Sequence, residues 1–249
     1  MAVDAVVLAG RENTGKLREA SPEKWEANIE IAGRPMVTYI LDALKAVPKI
    51  GTIYLIGPEE AVGRYACSKV RVVEPGGGLL ENVRKGLSAA RSECVLVCAS
   101  DIPLVTAEIV GDLIDRCLES GADFCYPVSS KDDCDRAFSG VKRTYVTLRE
   151  GTYTGGNVFL VRKSAVERAW PMAEKMIGYR KSPAKMVAVL GPGLLLKFVL
   201  KLASVADLER KVAGLLDLKP RAILNASPEI GVDVDKPSDL ELCRRELAK

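Results

Sequence analysis

Short apolar, β-rich runs at residues 3–8, 52–56, 70–73 and 94–99 alternate with segments at 36–46, 59–66 and 79–90 whose apolar residues recur at helical spacing. Of all the features of the chain, this alternation restricts the fold most. Strands that are apolar at nearly every position are buried on both faces. In a strand–helix–strand succession that means an α/β fold with a Rossmann-like, mainly parallel sheet and helices on both faces. After Asp101 the rhythm changes. A helix is predicted at 107–118 and a strand at 123–128, then a charged, turn-rich stretch at 129–156 and a strand at 157–161. A helix-rich segment follows to residue 216, and the chain closes with a strand at 221–224, an extended run at 231–235 and a helix at 238–247. No repeat or linker divides the chain, so residues 1–249 read as one domain with a helical insertion at 163–218.

Composition narrows the chemistry. There is no histidine, which excludes Ser-His-Asp and Cys-His catalysis and histidine-ligated zinc. A net charge of +3 without long runs gives no footprint for nucleic acid or an anionic membrane. The seven cysteines form no C-x-x-C pair. Several lie inside apolar runs such as Cys94-Val95-Leu96-Val97-Cys98, as small buried hydrophobes of a reducing compartment do. With no basic leader and no run of membrane-spanning length, a cytoplasmic protein is expected.

The first strand runs through Leu8 into Ala9-Gly10-Arg11-Glu12-Asn13-Thr14-Gly15-Lys16-Leu17-Arg18. A glycine-containing loop after a first parallel strand suits phosphate, because backbone N–H groups can approach the oxygens. Its spelling mimics a P-loop, but Leu17 stands where a hydroxyl should ligate Mg²⁺, and Pro22 would break the helix. A second glycine loop, Gly76-Gly77-Gly78, enters the helix carrying Asn82 and Gly86. The strand at 94–99 ends in Ser100-Asp101-Ile102-Pro103-Leu104, and strand C-terminal edges are where open α/β sheets hold ligands. Near the end lies Gly231-Val232-Asp233-Val234-Asp235-Lys236-Pro237-Ser238-Asp239-Leu240. Alternation in an extended run lets Asp233 and Asp235 face one ion, while Asp239 complements a helix dipole.

Together, Leu8-Ala9-Gly10, Gly33-Arg34-Pro35-Met36, the Gly76–Gly78 loop with Asn82, Asp101-Ile102-Pro103-Leu104 and the closing acidic run resemble nucleotidyltransferases of the nucleotide-diphospho-sugar transferase fold. The resemblance covers roughly 3–162 and 221–247 and points to the molybdenum-cofactor guanylyltransferase-like (MobA-like) group. It implies transfer of an NMP from GTP or CTP to a phosphorylated small-molecule acceptor, with Mg²⁺ and release of pyrophosphate. It also implies Leu8, Ala9, Gly10, Arg11, Gly15, Lys16, Gly76, Gly77, Gly78 and Asn82 around the nucleotide, with Lys16 and Asp101 catalytic. Asp101, Asp233 and Asp235 would hold the metal. The segment Thr152-Tyr153-Thr154-Gly155-Gly156-Asn157-Val158-Phe159 resembles the acceptor-contacting strand, with Gly156 and Asn157 as its contacts. Lys142 and Arg143 read equally as acceptor contacts and as solvated charges.

An ionised phosphate acceptor needs no general base, so the lack of histidine costs such a reaction nothing. The chain departs from the resembled pattern at two positions. Arg11 replaces a second loop glycine, and Glu26 stands where a triphosphate lysine is usual, leaving Lys16, Arg18 or Lys24 as substitutes. These departures keep open a non-catalytic nucleotide sensor. A glycosyltransferase using a nucleotide-sugar is a further alternative, disfavoured because no Asp-x-Asp stands at the mid-chain strand end.

In the insertion, Ser182-Pro183 is predicted to open one helix, and Gly191-Pro192-Gly193 separates it from an apolar segment, 194–203. Lys197 and Lys201 would share one face of that segment, read as a buried helix with a solvated stripe. The sharper readings are a lid, a homodimer face or a lipid-like acceptor site.

Overall fold

A computed structural model describes residues 2–179, 189 and 191–248 of the chain. The helix start expected at Ser182-Pro183 lies outside the described residues. In chain order the strands are β1 (Val3–Leu8), β2 (Glu30–Ile31), β3 (Arg34–Pro35), β4 (Ile50–Ile56), β5 (Val70–Val73), β6 (Cys94–Ala99), β7 (Phe124–Ser130), β8 (Val146–Leu148), β9 (Gly151–Gly155), β10 (Val158–Arg162) and β11 (Pro220–Ile223). The helices are α1 (Met36–Ala46), α2 (Glu59–Val62), α3 (Leu79–Ala89), α4 (Ala107–Ser120), α5 (Lys131–Ala137), α6 (Lys163–Tyr179), α7 (Pro192–Val199), α8 (Val205–Leu216) and α9 (Pro237–Leu247).

Nine strands form one sheet in the order β5-β4-β1-β6-β10-β7-β9-β8, with β11 beside β7. β9 and β10 run against the direction shared by the other seven, so the sheet is mixed but mostly parallel. Period-two alternation splits the core between two faces. On one, Val3, Ala5 and Val7 of β1 pack with Val37 and Ile40 of α1 and Ile114 of α4. On the other, Val6 packs with Val83 and Leu87 of α3, beside Val166 and Trp170 of α6.

The approach of α3 to β1 depends on Gly86. A Cβ there would lie 2.5 and 2.8 Å from the two γ-methyls of buried Val6. Gly86→Ala is therefore expected to destabilise the fold by about 1–3 kcal/mol through overpacking, read as a lowered Tm. A second close fit is the buried Asp4 at the opposite edge. Its carboxylate accepts the backbone N–H groups of Thr52, Arg91 and Ser92 at 2.7–2.9 Å, joining β1, β4 and the entry to β6.

The structure departs from the sequence reading in three places. The stretch 129–156 holds α5, capped by the Ser130 hydroxyl on the Asp133 N–H, and the β8–β9 hairpin. Its strands are short, with Val, Thr and Leu in β8 and Gly, Thr and Tyr in β9, so they lack the apolar run that marks a strand. The helix predicted at 59–66 stops at Val62 and tightens into a 3₁₀ turn, Gly63–Tyr65. In the 194–203 segment the helix ends at Val199, and Lys201 turns left-handed at φ +56°. Lys197 and Lys201 therefore share no helical face, and the segment is not buried. Leu194 and Phe198 pack inward, while Leu196, Val199, Leu200 and Leu202 are each more than half exposed.

Six cysteines are buried and Cys67 is exposed, all with free thiols. Among the described residues no helix is long and apolar enough to cross a membrane.

Candidate active site

The parallel strands β1, β4, β5 and β6 all end at one edge of the sheet, and the loops there carry most of the residues singled out above. Ala9 donates its N–H to Ile56 at 2.8 Å as β1 ends. A Cβ at Gly10 would touch the Gly57 Cα at 3.4 Å, so the first loop lies flat against the second. The side-chain amide of buried Asn13 donates to the carbonyls of Ser21 and Glu23 at 3.1 and 3.0 Å, closing residues 13–23 into a self-held loop. Within it Lys16–Glu19 makes a single 3₁₀ turn, so the helix a P-loop requires does not form.

Three cations were open as triphosphate ligands. The Arg18 guanidinium donates to the Pro22 and Glu23 carbonyls. Lys24 pairs with Glu60 at 2.7 Å and lies over the Trp25 ring. Lys16 is exposed and makes no hydrogen bond or ion pair to the described residues.

Arg11 is the most constrained cation of the edge. Its Nε lies 3.2 Å from Glu26 and its Nη1 2.9 Å from Asp235, tying the first loop to the closing acidic run. Only 5% of the Glu26 side chain is exposed, against 61% of Arg11. Burial pushes the Glu26 carboxyl above the usual carboxylate range, and Asp235 pushes the same way, while Arg11 opposes both. Desolvation outweighs attraction in this pair, as is common for buried ion pairs. For Arg11 burial works against the charge, but the hydrogen bond it donates to Asp235 and the charges of Glu26, Asp235 and Asp101 outweigh it and raise its pKa.

Asp101 follows the C-terminal end of β6. Its carbonyl accepts the Val234 N–H at 2.9 Å, which docks the acidic run against it. Val232 and Val234 are buried and Asp233 and Asp235 turn the other way, as alternation requires. The Asp101 Oδ1 is buried without a partner. Burial, then the charges of Asp233 and Asp235, push the Asp101 carboxyl up to about 7. Asp233 is raised by burial and by Asp235. Asp239 instead accepts the Asp235 N–H at 3.2 Å and pairs with Lys236 at 3.0 Å, the structural role expected of it.

No three metal-ligating side chains among the described residues stand together as a ready cage. The donor set fits another mode. Asp101 has an unfilled buried oxygen beside Asp233, and Asp235 is engaged by Arg11. Mg²⁺ is commonly held by one or two carboxylates together with substrate phosphates and water, and Asp101 with Asp233 suits that use.

The second glycine loop is held by its own helix. The Asn82 Oδ1 accepts the Gly76 N–H and the Glu81 carboxylate accepts the Gly77 N–H, both at 2.6 Å. Lys85 donates to the Glu74 and Pro75 carbonyls. Neither Glu81 nor Lys85 was singled out in the sequence, although an acidic residue in a helix's first turn is an ordinary partner for such N–H groups.

On the acceptor side the structure separates the two adjacent cations. Lys142 is exposed in a surface notch with Ser238 and Arg245. Arg143 lies over Phe138 at 5.8 Å and donates to the Pro228 carbonyl at 3.3 Å, with its Nη2 buried and unpartnered. Gly156 abuts Ile230, and the Asn157 carbonyl accepts the Ala99 N–H at 3.0 Å. Asn157 thus stands beside the end of β6, next to Asp101 in space.

A mostly parallel sheet of this strand order has known counterparts. Residues 5–206 match the family described as MobA-like NTP transferase domain, and the chain belongs to that family. A hypothetical transferase from Thermus thermophilus is similar at 34% identity and a TM-score of 0.86, over 96% of this chain and 100% of that one. The fold is shared with 4-diphosphocytidyl-2C-methyl-D-erythritol synthase from Anaerococcus prevotii, at 13% identity and a TM-score of 0.63 over 100% and 96% of the two chains. It is shared also with CMP:2-keto-3-deoxy-manno-octonic acid synthetase complexed with CTP, at 11% identity and a TM-score of 0.65 over 100% and 99%. Among curated proteins none matches the sequence.

Proposed function

We propose that this protein transfers an NMP from GTP or CTP to a phosphorylated small-molecule acceptor, with Mg²⁺ and release of pyrophosphate. The observation that carries the reading is the unpartnered Asp101 oxygen beside Asp233 at the strand edge where the two glycine loops meet. An acceptor phosphate oxygen attacks the α-phosphorus and forms a new P–O bond. The bond from the α-phosphorus to the bridging oxygen breaks, and pyrophosphate leaves with the electron pair. Mg²⁺ held by Asp101 and Asp233 would neutralise charge developing on the phosphates.

The chain's own groups position the reactants. Backbone N–H groups of the Gly10 loop face the phosphates, and the Gly76–Gly78 loop borders the base. Arg11, anchored by Glu26, supplies a fixed positive charge, and Lys16 a mobile one. No histidine or other general base is needed, because a phosphate acceptor is ionised at neutral pH.

The nucleotide-sensing reading keeps one supporting observation, that Arg11 and the Gly77 N–H are already engaged by carboxylates of the chain itself. Pyrophosphate release from GTP or CTP with pooled phosphorylated acceptors separates the two. Release supports transfer, and NTP binding without release supports sensing. Lys16→Ala is expected to weaken NTP binding about tenfold, roughly 1.4 kcal/mol, in calorimetric titration with Mg²⁺. Unchanged affinity would remove Lys16 from the site.

A further inference from the structure

The hairpin β8–β9, strands β7 and β11 and helix α8 enclose a cleft of about 540 Å³ that none of the residues assigned to the nucleotide enters. Gly155, Gly156 and Asn157 are among its lining, and the Asn157 carbonyl accepts the N–H of Ala99, two residues before Asp101. Through Asn157 the cleft adjoins the candidate active site. Its size is that of an ordinary small-molecule pocket.

Its walls are apolar. Phe124 and Tyr126 stack with ring centroids 6.3 Å apart and planes inclined by 12°. Val146, Leu148, Leu208 and Val212 complete the lining. A Cβ at Gly155 would collide with the Tyr126 hydroxyl, so the glycine lets the ring lie down on the strand. Tyr126 and Val146 remain 39% and 43% exposed and so are open to a ligand. The charged lining residues, Glu209 and Arg221, pair with each other at 3.5 Å, and Glu209 also accepts the Ala222 N–H at 2.8 Å. Among the described residues no unpaired charge lines the cleft to hold a phosphate or a sugar acid. Thr144 and Thr154 add hydroxyls without charge.

The apolar character continues outward. Leu194 and Phe198 of α7 pack in the same cluster as Leu148 and Leu208, while Leu196, Val199 and Leu200 of that segment stay exposed. A water-borne polar acceptor has no use for such an approach.

We propose that the cleft takes the hydrocarbon or aromatic body of the acceptor, whose phosphate remains at the Asn157 end beside Asp101. This deepens the transferase reading and rests on it for the phosphate's role, naming the acceptor as an amphiphilic phosphomonoester.

The test uses geranyl phosphate and ribose 5-phosphate as probes, titrated calorimetrically into the full chain without NTP. Geranyl phosphate is expected to bind at least tenfold more tightly than ribose 5-phosphate. Val146→Glu, on an exposed position of an edge strand, and Tyr126→Ser should each weaken geranyl phosphate at least tenfold while leaving NTP affinity unchanged, and Val146→Glu should also leave Tm unchanged. Equal affinity for the two probes, or variants that bind geranyl phosphate as the parent does, would overturn the proposal. A dimer lost in Val146→Glu by sedimentation, with probe binding unaltered, would assign the cleft to a second copy and overturn it as well. Geranyl phosphate binding without pyrophosphate release from GTP or CTP would support the cleft while sinking the transfer reaction. Release with ribose 5-phosphate alone would do the reverse.

Discussion

Asp101→Asn is expected to lower pyrophosphate release by roughly a thousandfold or more and, in the same protein, to raise Tm. The loss follows from removing the one carboxylate whose buried oxygen waits unpartnered at the strand edge. The gain has an electrostatic origin. Burial first, and the charges of Asp233 and Asp235 second, raise the Asp101 pKa from 3.8 to about 7. Such a shift corresponds to roughly 4 kcal/mol of penalty on the ionised form. Because the folded value lies above the unfolded one, the penalty is absent below about pH 4 and grows as pH rises through that interval. It is fully present above about pH 7. The amide carries no charge but still lacks a partner, so about half of the penalty, ~2 kcal/mol, should be recovered. For a chain of this length that is ~4–8 °C. Melting curves of both proteins in metal-free buffer at pH 8 and pH 4 measure it, with a difference at pH 8 that closes at pH 4. Wild-type turnover by the variant would place the reacting centre elsewhere.

Glu26→Lys should be among the most damaging single substitutions in the chain. The sequence leaves two readings open: Glu26 faces a triphosphate, so that lysine would tighten NTP binding tenfold or more, or it points to solvent or pairs with a cation such as Lys24 or Arg11. The structure shows the pairing with Arg11. Glu26 is buried and faces Arg11 at 3.2 Å, so a lysine there would bury a second cation against the first. The pair is buried on the Glu26 side only, so the cost is about 2–3 kcal/mol, below that of a fully buried pair, and the fall in Tm roughly five degrees or more. Arg11 would lose its anchor, and NTP affinity should drop rather than rise. In an Arg11→Ala background the further loss on adding Glu26→Lys should shrink, because the repulsion then has no partner. The four proteins of this cycle, melted in parallel and titrated with GTP and CTP, measure the coupling. An unchanged Tm with tighter NTP binding would restore the repulsion view.

These two residues mark where local pattern stops being informative. The strands β1, β5 and β6 and the helix α1 stand at the residues where periodicity places them. Burial on both faces writes itself as a continuous apolar run, and an amphipathic helix as a 3.6-residue spacing, within a window of a dozen residues. The loops Gly10 and Gly76–Gly78 and the carboxylate Asp101 were legible for a similar reason. Each sits two to five residues after a strand, at the edge where such sheets hold ligands.

What periodicity could not supply is which charges meet. Arg11 and Asp235 are 224 residues apart and touch because β1 and β6 are neighbours and Val234 is bonded to Asp101. The sign of Glu26's contribution depends on that meeting, since the same carboxylate repels a phosphate when exposed and anchors an arginine when buried. Lys142 and Arg143, adjacent in the chain, go to different surroundings for want of any signal a pair of cations carries by itself. The β8–β9 hairpin and the apolar cleft behind it were also illegible. Their strands are only three and five residues long, and the cleft's walls come from elements spread over residues 124–224. Short-range spacing encodes which surfaces each element must bury, whereas desolvation and pairing energies belong to groups that only the folded chain brings within a few ångströms.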